Sequence, residues 1–259
     1  REKNMSRYPA INVSLFLAAI SLFGQAAAAQ TTHDVIAAAV ADPARPDSDR
    51  QQDANRKSLE VLEFAGVKPG DRVADFIPGG GYVTRLFSKT VGPKGHVYAV
   101  VPEELFAMKA DADAKVKAIA ADPAYSNVTV LREPVNDFKA PEKLDMVWTS
   151  MNYHDLHDKF FGPADLAVLN KKIFNTLKPG GIYLVLDHAA ASGSGLRDTE
   201  TLHRIDPEEV KKEVLAAGFV LDAQSDVLHN PDDAHTAKVF DPAIRGKTDK
   251  FIFKFRKPK

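Results

Sequence analysis

The chain has 259 residues, 44% of them hydrophobic and 27% charged, with a formal net charge of −1. This composition suits one large α/β domain with additions rather than two full domains. Near-neutrality, with no basic run interleaved with aromatics, argues against nucleic acid or anionic lipid as a general partner, and the lack of any cysteine excludes disulfides and thiolate metal sites.

The chain opens with a short positive stretch, Met5-Ser6-Arg7, a largely apolar run from Ile11 to Phe23, and Ala27-Ala28-Ala29 before Gln30. This is the pattern of a secretory signal peptide over residues 1–29, with the four residues ahead of Met5 reading as upstream of the natural start. The apolar run of about 13 residues is short of the roughly 20 that span a bilayer. The expectation is therefore a periplasmic or secreted protein with no stable membrane insertion after cleavage, an uncleaved anchor being the alternative. Residues 30–58 read as an N-terminal helical extension, and 59–259 as the main domain. Helical patterns cover Thr31 to Ala41 and Asp49 to Ala65, separated by a linker from Asp42 to Asp47, and Gly66 sits at the C-terminal capping position.

From Arg72 onward apolar runs and helical patterns alternate. Strands are predicted at 72–77, 96–101, 128–131, 144–150 and 182–187, with helices at 82–91, 103–121 and 163–177 between them. The spacing predicts an open, doubly wound parallel sheet. The end of the chain breaks the rhythm with a helix at 207–217, a strand at 219–227, a polar loop from Leu228 to Asp249, and a strictly alternating strand with Phe251, Phe253 and Phe255 on one face. Two strands without a crossover helix are expected to be antiparallel neighbours. A loop of about twenty residues in a compact domain is usually functional or disordered.

The first strand leads into Asp75-Phe76-Ile77-Pro78-Gly79-Gly80-Gly81-Tyr82. Glycines at such a turn let the backbone approach a ligand, and the following helix start offers free N–H groups to an anion. A dinucleotide fingerprint needs a further glycine three residues past the second, but that position is Thr84. Asp75-x-x-x-Gly79-x-Gly81 instead resembles the first motif of class I S-adenosylmethionine-dependent methyltransferases. Leu177-Lys178-Pro179-Gly180-Gly181 is similar to that family's turn before the fifth strand, and Leu144-Asp145-Met146-Val147 to its fourth-strand motif. The resemblance covers about residues 55–259. The chain also resembles a bacterial family of predicted methyltransferases with signal peptides, through segments such as Asn152-Tyr153-His154-Asp155-Leu156 and Arg245-Gly246-Lys247-Thr248-Asp249.

The resemblance implies a Rossmann-like sheet with an antiparallel C-terminal strand, S-adenosyl-L-methionine as cofactor, and a small-molecule acceptor. It implies a cofactor site at Asp75, Gly79, Gly80, Gly81 and Tyr82, with Asn136 and Asp137 on the adenine side and Asn152 after the fourth strand. Two departures stand out. Ile77 replaces the first glycine of the motif, and the acid that ends the second strand is missing, Val100-Val101-Pro102 standing there with Glu103 and Glu104 just beyond. Glu103 is the residue expected to reach back to the ribose.

A hydroxyl acceptor needs its proton removed, and histidine suits that near neutral pH. His154-Asp155 resembles the pair used by small-molecule O-methyltransferases, which implies His154 as general base with Asp155 beside it and Asn152 and Tyr153 shaping the acceptor. His and carboxylate pairs also compose a zinc ligand set, but no spacing fixes a geometry, so no metal is assigned. The alternative to an enzyme is an exported ligand-binding protein with a degenerate methyltransferase fold. Oligomeric state is not legible.

Overall fold

A computed structural model of the chain describes residues 32–162 and 164–259; the expected signal peptide lies outside them. Among the described residues no helix is long and apolar enough to cross a membrane. Seven strands form one sheet: β1 (Arg72–Phe76), β2 (His96–Pro102), β3 (Val128–Glu133), β4 (Leu144–Ser150), β5 (Leu177–His188), β6 (Val220–Ser225) and β7 (Lys250–Arg256). Their order is β3-β2-β1-β4-β5-β7-β6. β1 to β5 run parallel and β7 is antiparallel to both β5 and β6, as the missing crossover helix predicts.

The central strands bury both faces, which is why they read as continuous apolar runs, while the edge strand β6 is largely exposed. Ala74, Val100, Val147, Val185 and Phe253 enter one core, under the helices Leu166–Thr176 and Pro207–Ala216. Val73, Ala99, Trp148, Leu184 and Ile252 enter the other, under Ser58–Ala65, Tyr82–Val91 and Ala114–Ala121. Phe251, Phe253 and Phe255 share the first core, as the alternation predicts. Trp148 packs edge-on to Phe87 at 5.4 Å. The strand order reverses between β1 and β4, and at such a switch point the connections leave in opposite directions and open a crevice at the carboxyl ends.

The helices depart from expectation in two places. The predicted helix over 49–65 is interrupted at Gln51 and Gln52, between Asp47–Arg50 and Asp53–Arg56, and again at Lys57, whose backbone is left-handed at φ 45°, before Ser58–Ala65. The break at Lys57 lets the earlier turn fold over the start of the Tyr82 helix. The fully buried Arg45 guanidinium grips Asp53 with two hydrogen bonds of 2.8 and 2.9 Å, and the Tyr82 hydroxyl donates to Asp53 and pairs with Ser58. The predicted helix over 103–121 is interrupted between Leu105–Met108 and Ala114–Ala121. Asp111 and Asp113 lie in that gap, and aspartate competes for the backbone hydrogen bonds a helix interior needs. The Lys178-Pro179-Gly180-Gly181 turn lies inside a longer β5, because Gly180 N and Gly181 O bond the backbone of Lys257.

Gly81 is a packing glycine. It has φ 78°, and a Cβ there would lie 2.1 Å from Ile119 Cδ1. Gly81→Ala is expected to destabilise the fold by about 1–3 kcal/mol through overpacking, read as a lower urea midpoint with unchanged slope.

Candidate functional site

β1 ends at Phe76, and Ile77 takes φ 60° before the Pro78 turn. A β-branched residue in this left-handed region is strained by about 1–3 kcal/mol, and it stands where the resembled motif has a glycine that adopts the conformation freely. Ile77 still donates its N–H to Val100 O at 3.0 Å, and its carbonyl accepts from Asn152 Nδ2 at 3.0 Å. Asn152 Nδ2 also reaches Ser150 O at 2.7 Å, so one amide ties the ends of β1 and β4 together. At the end of β4 Met151 repeats the left-handed backbone, with φ 58°. Two strained non-glycine residues thus face each other across the switch point.

Asp75 fastens the strand to the helix, accepting from Thr84 Oγ1 at 2.6 Å. Burial pushes its carboxyl up to about 6, against the opposing hydrogen bonds from Thr84.

Between these turns lies a cavity of about 540 Å³. Asp75, Ile77, Gly79, Gly80, Tyr82 and Asn152 form one side of it, and His154, Asp155, His188 and His203 the other. Leu105, Met108, Phe160 and Phe161 supply apolar wall. A second chamber of about 290 Å³ adjoins it, sharing Arg56, Tyr82, Met151, His188 and Phe240. It is walled by Val61, Leu62, Leu86, Trp148 and Leu186, carries Arg56, Arg245 and Lys250, and has no acid in its lining.

His154 is buried at the base of the histidine side. Its Nδ1 lies 2.8 Å from Asp187 Oδ1, and its backbone N–H donates to Asp187 Oδ2 at 2.8 Å. Its Nε2 lies 3.2 Å from Asp155 Oδ1. Burial opposes charge on this ring, but the Asp187 and Asp155 carboxylates outweigh it and raise its pKa to about 10. The two carboxylates thus favour positive charge at this ring, which works against the general-base role expected from the sequence. His188 is the opposite case. Its Nδ1 pairs with Thr248 Oγ1 at 2.8 Å, and burial, followed by the positive charges of Lys250, His154 and Arg204, holds it well below the ordinary histidine value. It therefore faces the cavity as a neutral imidazole.

Of the residues expected from the sequence, Asp75, Gly79, Gly80, Tyr82, Asn152, His154 and Asp155 line this cavity. Five others are placed elsewhere. Gly81 packs on Ile119. Tyr153 turns into the core, where its hydroxyl donates to Glu213 and accepts from Asn170 Nδ2. The Glu103 carboxylate lies 3.4 Å from Arg132 Nε, and its neighbour Glu104 accepts from Val135 N–H, so no acid from the end of β2 reaches the cavity. Asn136 Oδ1 accepts from Asp165 N–H, capping the region before helix Leu166–Thr176, and Asp137 pairs with Lys172 and Lys139.

The sequence places Asp187-His188 at the end of the fifth strand and His203-Arg204 before the last helix at this same edge of the sheet, but it pairs His154 with Asp155 rather than with Asp187 and does not single out Arg56 or Phe240 as lining. The long loop that contributes Val239, Phe240, Arg245 and Gly246 to the two chambers is ordered by a buried pair, Arg204 to Asp233 at 2.9 Å, while Asp249 bridges His229 and His235. The signal for the pairing is the adjacency of β4 and β5 in the sheet order, which brings the end of β5 against the loop after β4.

A histidine whose pKa rises from about 6.5 unfolded to about 10 folded adds stability that is complete below pH 6.5 and disappears as pH rises through 10. With EDTA present, the stability difference between wild type and His154→Gln is expected to be largest near pH 6 and to shrink steadily toward pH 10, measured by urea denaturation. His154→Ala, which leaves the buried Asp187 carboxylate without its ring partner, should cost about 3–5 kcal/mol.

No family model matches the chain. Among curated proteins it is 29% identical over 140 residues to the ubiquinone/menaquinone biosynthesis C-methyltransferase UbiE of Pseudomonas paraeruginosa, covering 52% of this chain and 48% of that one. The match to UbiE of Hydrogenovibrio crunogenus is 30% over 129 residues, covering 49% and 46%. The chain thus spans about half the length of the curated relatives it matches. Among solved structures, an S-adenosylmethionine-dependent methyltransferase from Mesorhizobium loti superimposes with TM-score 0.55 at 15% identity, covering 79% of this chain and 99% of that one. The glycopeptide N-methyltransferase MtfA, solved with S-adenosyl-L-methionine, gives 0.53 at 17% identity, covering 77% and 86%. The [4+2]-cyclase SpnF gives 0.54 at 20% identity, covering 80% and 82%. With its seven strands in the order β3-β2-β1-β4-β5-β7-β6 and β7 antiparallel, the chain has the class I methyltransferase fold.

Proposed function

We propose that the chain is an S-adenosylmethionine-dependent methyltransferase acting on a small molecule. The observation that carries this reading is the cavity at the switch point, floored by the glycine turn of β1 and faced by titratable side chains from the ends of β4 and β5. Its volume of about 540 Å³ is within the range of small-molecule sites, roughly 300–1,000 Å³. The residues fit the cofactor on one decisive point. A Cβ at Gly79 or Gly80 would meet no atom within 4 Å, so the backbone there is open to close approach. The turn from Ile77 to Gly80, Asp75, Tyr82 and Asn152 would hold the cofactor, with Leu105 and Met108 as apolar wall in place of a ribose-binding acid. When bound, S-adenosylmethionine supplies a methyl group on a positively charged sulfur.

The adjoining chamber of about 290 Å³ is the acceptor pocket in this reading. Its apolar walls and three cationic residues favour a small, largely apolar acceptor carrying a negative group, and its size suits one. An acceptor hydroxyl must lose its proton, for transfer either to that oxygen or to a ring carbon that the phenolate activates. His188 faces both chambers and is neutral, so it is the base we assign. His154, held between the Asp187 and Asp155 carboxylates, fixes the loop and a positive charge instead.

Two variants test this. Gly80→Val places a Cβ where no protein atom lies within 4 Å, so it should leave the melting temperature within a few degrees of wild type while weakening S-adenosylmethionine binding at least tenfold by calorimetry. A well-folded wild type that binds neither S-adenosylmethionine nor S-adenosylhomocysteine sinks the reading. His188→Gln is expected to lower kcat by about 100-fold or more, the usual scale for a lost general base, with cofactor affinity unchanged.

A further inference from the structure

His154, Asp155 and His203 come from two separate parts of the chain, yet each offers a ligand atom within 4.8 Å of the others. Asp155 Oδ1 lies 3.2 Å from His154 Nε2 and 3.5 Å from His203 Nδ1. For metal–ligand bonds of about 2.0–2.1 Å, the edge of a coordination tetrahedron is about 3.4 Å, so the two separations straddle the required value. We infer that His154, Asp155 and His203 form a binding site for one divalent first-row transition cation, zinc being the ion whose ligand types and bond lengths they match.

The surroundings support the assignment independently. Metal-bound histidines usually donate their other ring N–H to a carboxylate, which fixes the tautomer and the ring plane. Asp187 stands in that place, 2.8 Å from His154 Nδ1. It is itself fixed, because it also accepts from the backbone N–H groups of His154 and His188 at 2.8 and 2.7 Å. His154 is thereby left with Nε2 toward Asp155. His203 is held in left-handed backbone, φ 55°, at the end of helix Thr199–Leu202, and its ring is braced by Phe240 at 4.8 Å and by His154 at 5.5 Å. Strain of this kind persists where the surroundings over-determine a side chain's position.

Charge favours a cation as well. Asp155 and Asp187 bring two carboxylates to one buried imidazole, and a divalent ion would balance both with the ring neutral. All three ligands line the 540 Å³ cavity, so three protein ligands leave a fourth position open toward it, which is the arrangement of reactive rather than structural zinc sites. The site does not depend on whether the chain transfers methyl groups. A second histidine–aspartate cluster, His229, His235 and Asp249, lacks this convergence: each Asp249 oxygen serves a different histidine, at 3.0 and 2.9 Å.

The test is equilibrium dialysis of the chelator-stripped full chain against zinc chloride, with metal measured by mass spectrometry. One equivalent bound with micromolar or tighter affinity is expected. Asp155→Asn and His203→Ala alter partly exposed side chains, so the variants should fold as wild type by circular dichroism while losing at least 100-fold in affinity. Asp187→Asn should lose about 10- to 100-fold, the scale of an outer-shell carboxylate, and His235→Ala should bind as wild type. No stoichiometric binding by folded wild type, or binding retained in the Asp155→Asn/His203→Ala double variant, overturns the inference. Binding that is lost only with His235→Ala overturns it too and moves the ion to the other cluster.

Discussion

The carboxylate of Asp187 has no exposure to solvent, and an unpaired charge in such a place costs several kcal/mol. Much of the carboxyl edge of the sheet is arranged to satisfy it. Three donors converge on its two oxygens, the His154 ring, the His154 N–H and the His188 N–H. Since β5 carries Asp187 and the loop after β4 carries His154, this one group docks the β4 loop onto the neighbouring strand. The docking turns Tyr153 inward to Glu213 and Asn170 and brings Asp155 to the cavity wall. The chemistry facing the cavity is thus set from below, by a residue whose own position is fixed by strand register.

The segment before β1 and the loop before β7 both contribute to the roof of the site, and each is anchored by a buried arginine. Arg45 holds Asp53 on the N-terminal side, and Arg204 holds Asp233 in the loop before β7. Buried pairs of this kind add little net stability over apolar packing, while loss of one partner is costly. Their effect here is positional. Asp53 receives the Tyr82 hydroxyl, and the Arg56 guanidinium lies 4.3 Å over the Tyr82 ring. Arg204 reaches the carbonyls of Ala189 and Ala237, which sets the loop carrying Val239 and Phe240 against the end of β5.

Strand positions were legible because doubly covered strands must be apolar throughout, and Arg72–Phe76 or His96–Pro102 offer no competing period. The helical breaks were not, since Lys57 has no local signature of left-handed backbone and is held by tertiary contacts, including Nζ to Val227 O at 2.7 Å. At the site, the glycine turn was legible as an approach to a ligand, but the roles within it were not. Gly81 is required by Ile119, which is 38 positions away in the numbering, and a residue motif contains no such neighbour. His154 was read beside Asp155 because the two are adjacent in sequence. Its stronger partner comes from the next strand, and sheet order decides that.

Ile77 and Met151 hold left-handed backbone on adjacent strand ends, linked through Asn152. Their strain is present before any ligand arrives. A glycine at position 77 would adopt the same dihedral angles without strain, but it would also sample many others. The ordering entropy of the turn would then fall on binding instead of on folding. Side-chain branching at Ile77 therefore lowers fold stability and stiffens the recognition surface together, and a more stable form of this chain need not be a tighter binder.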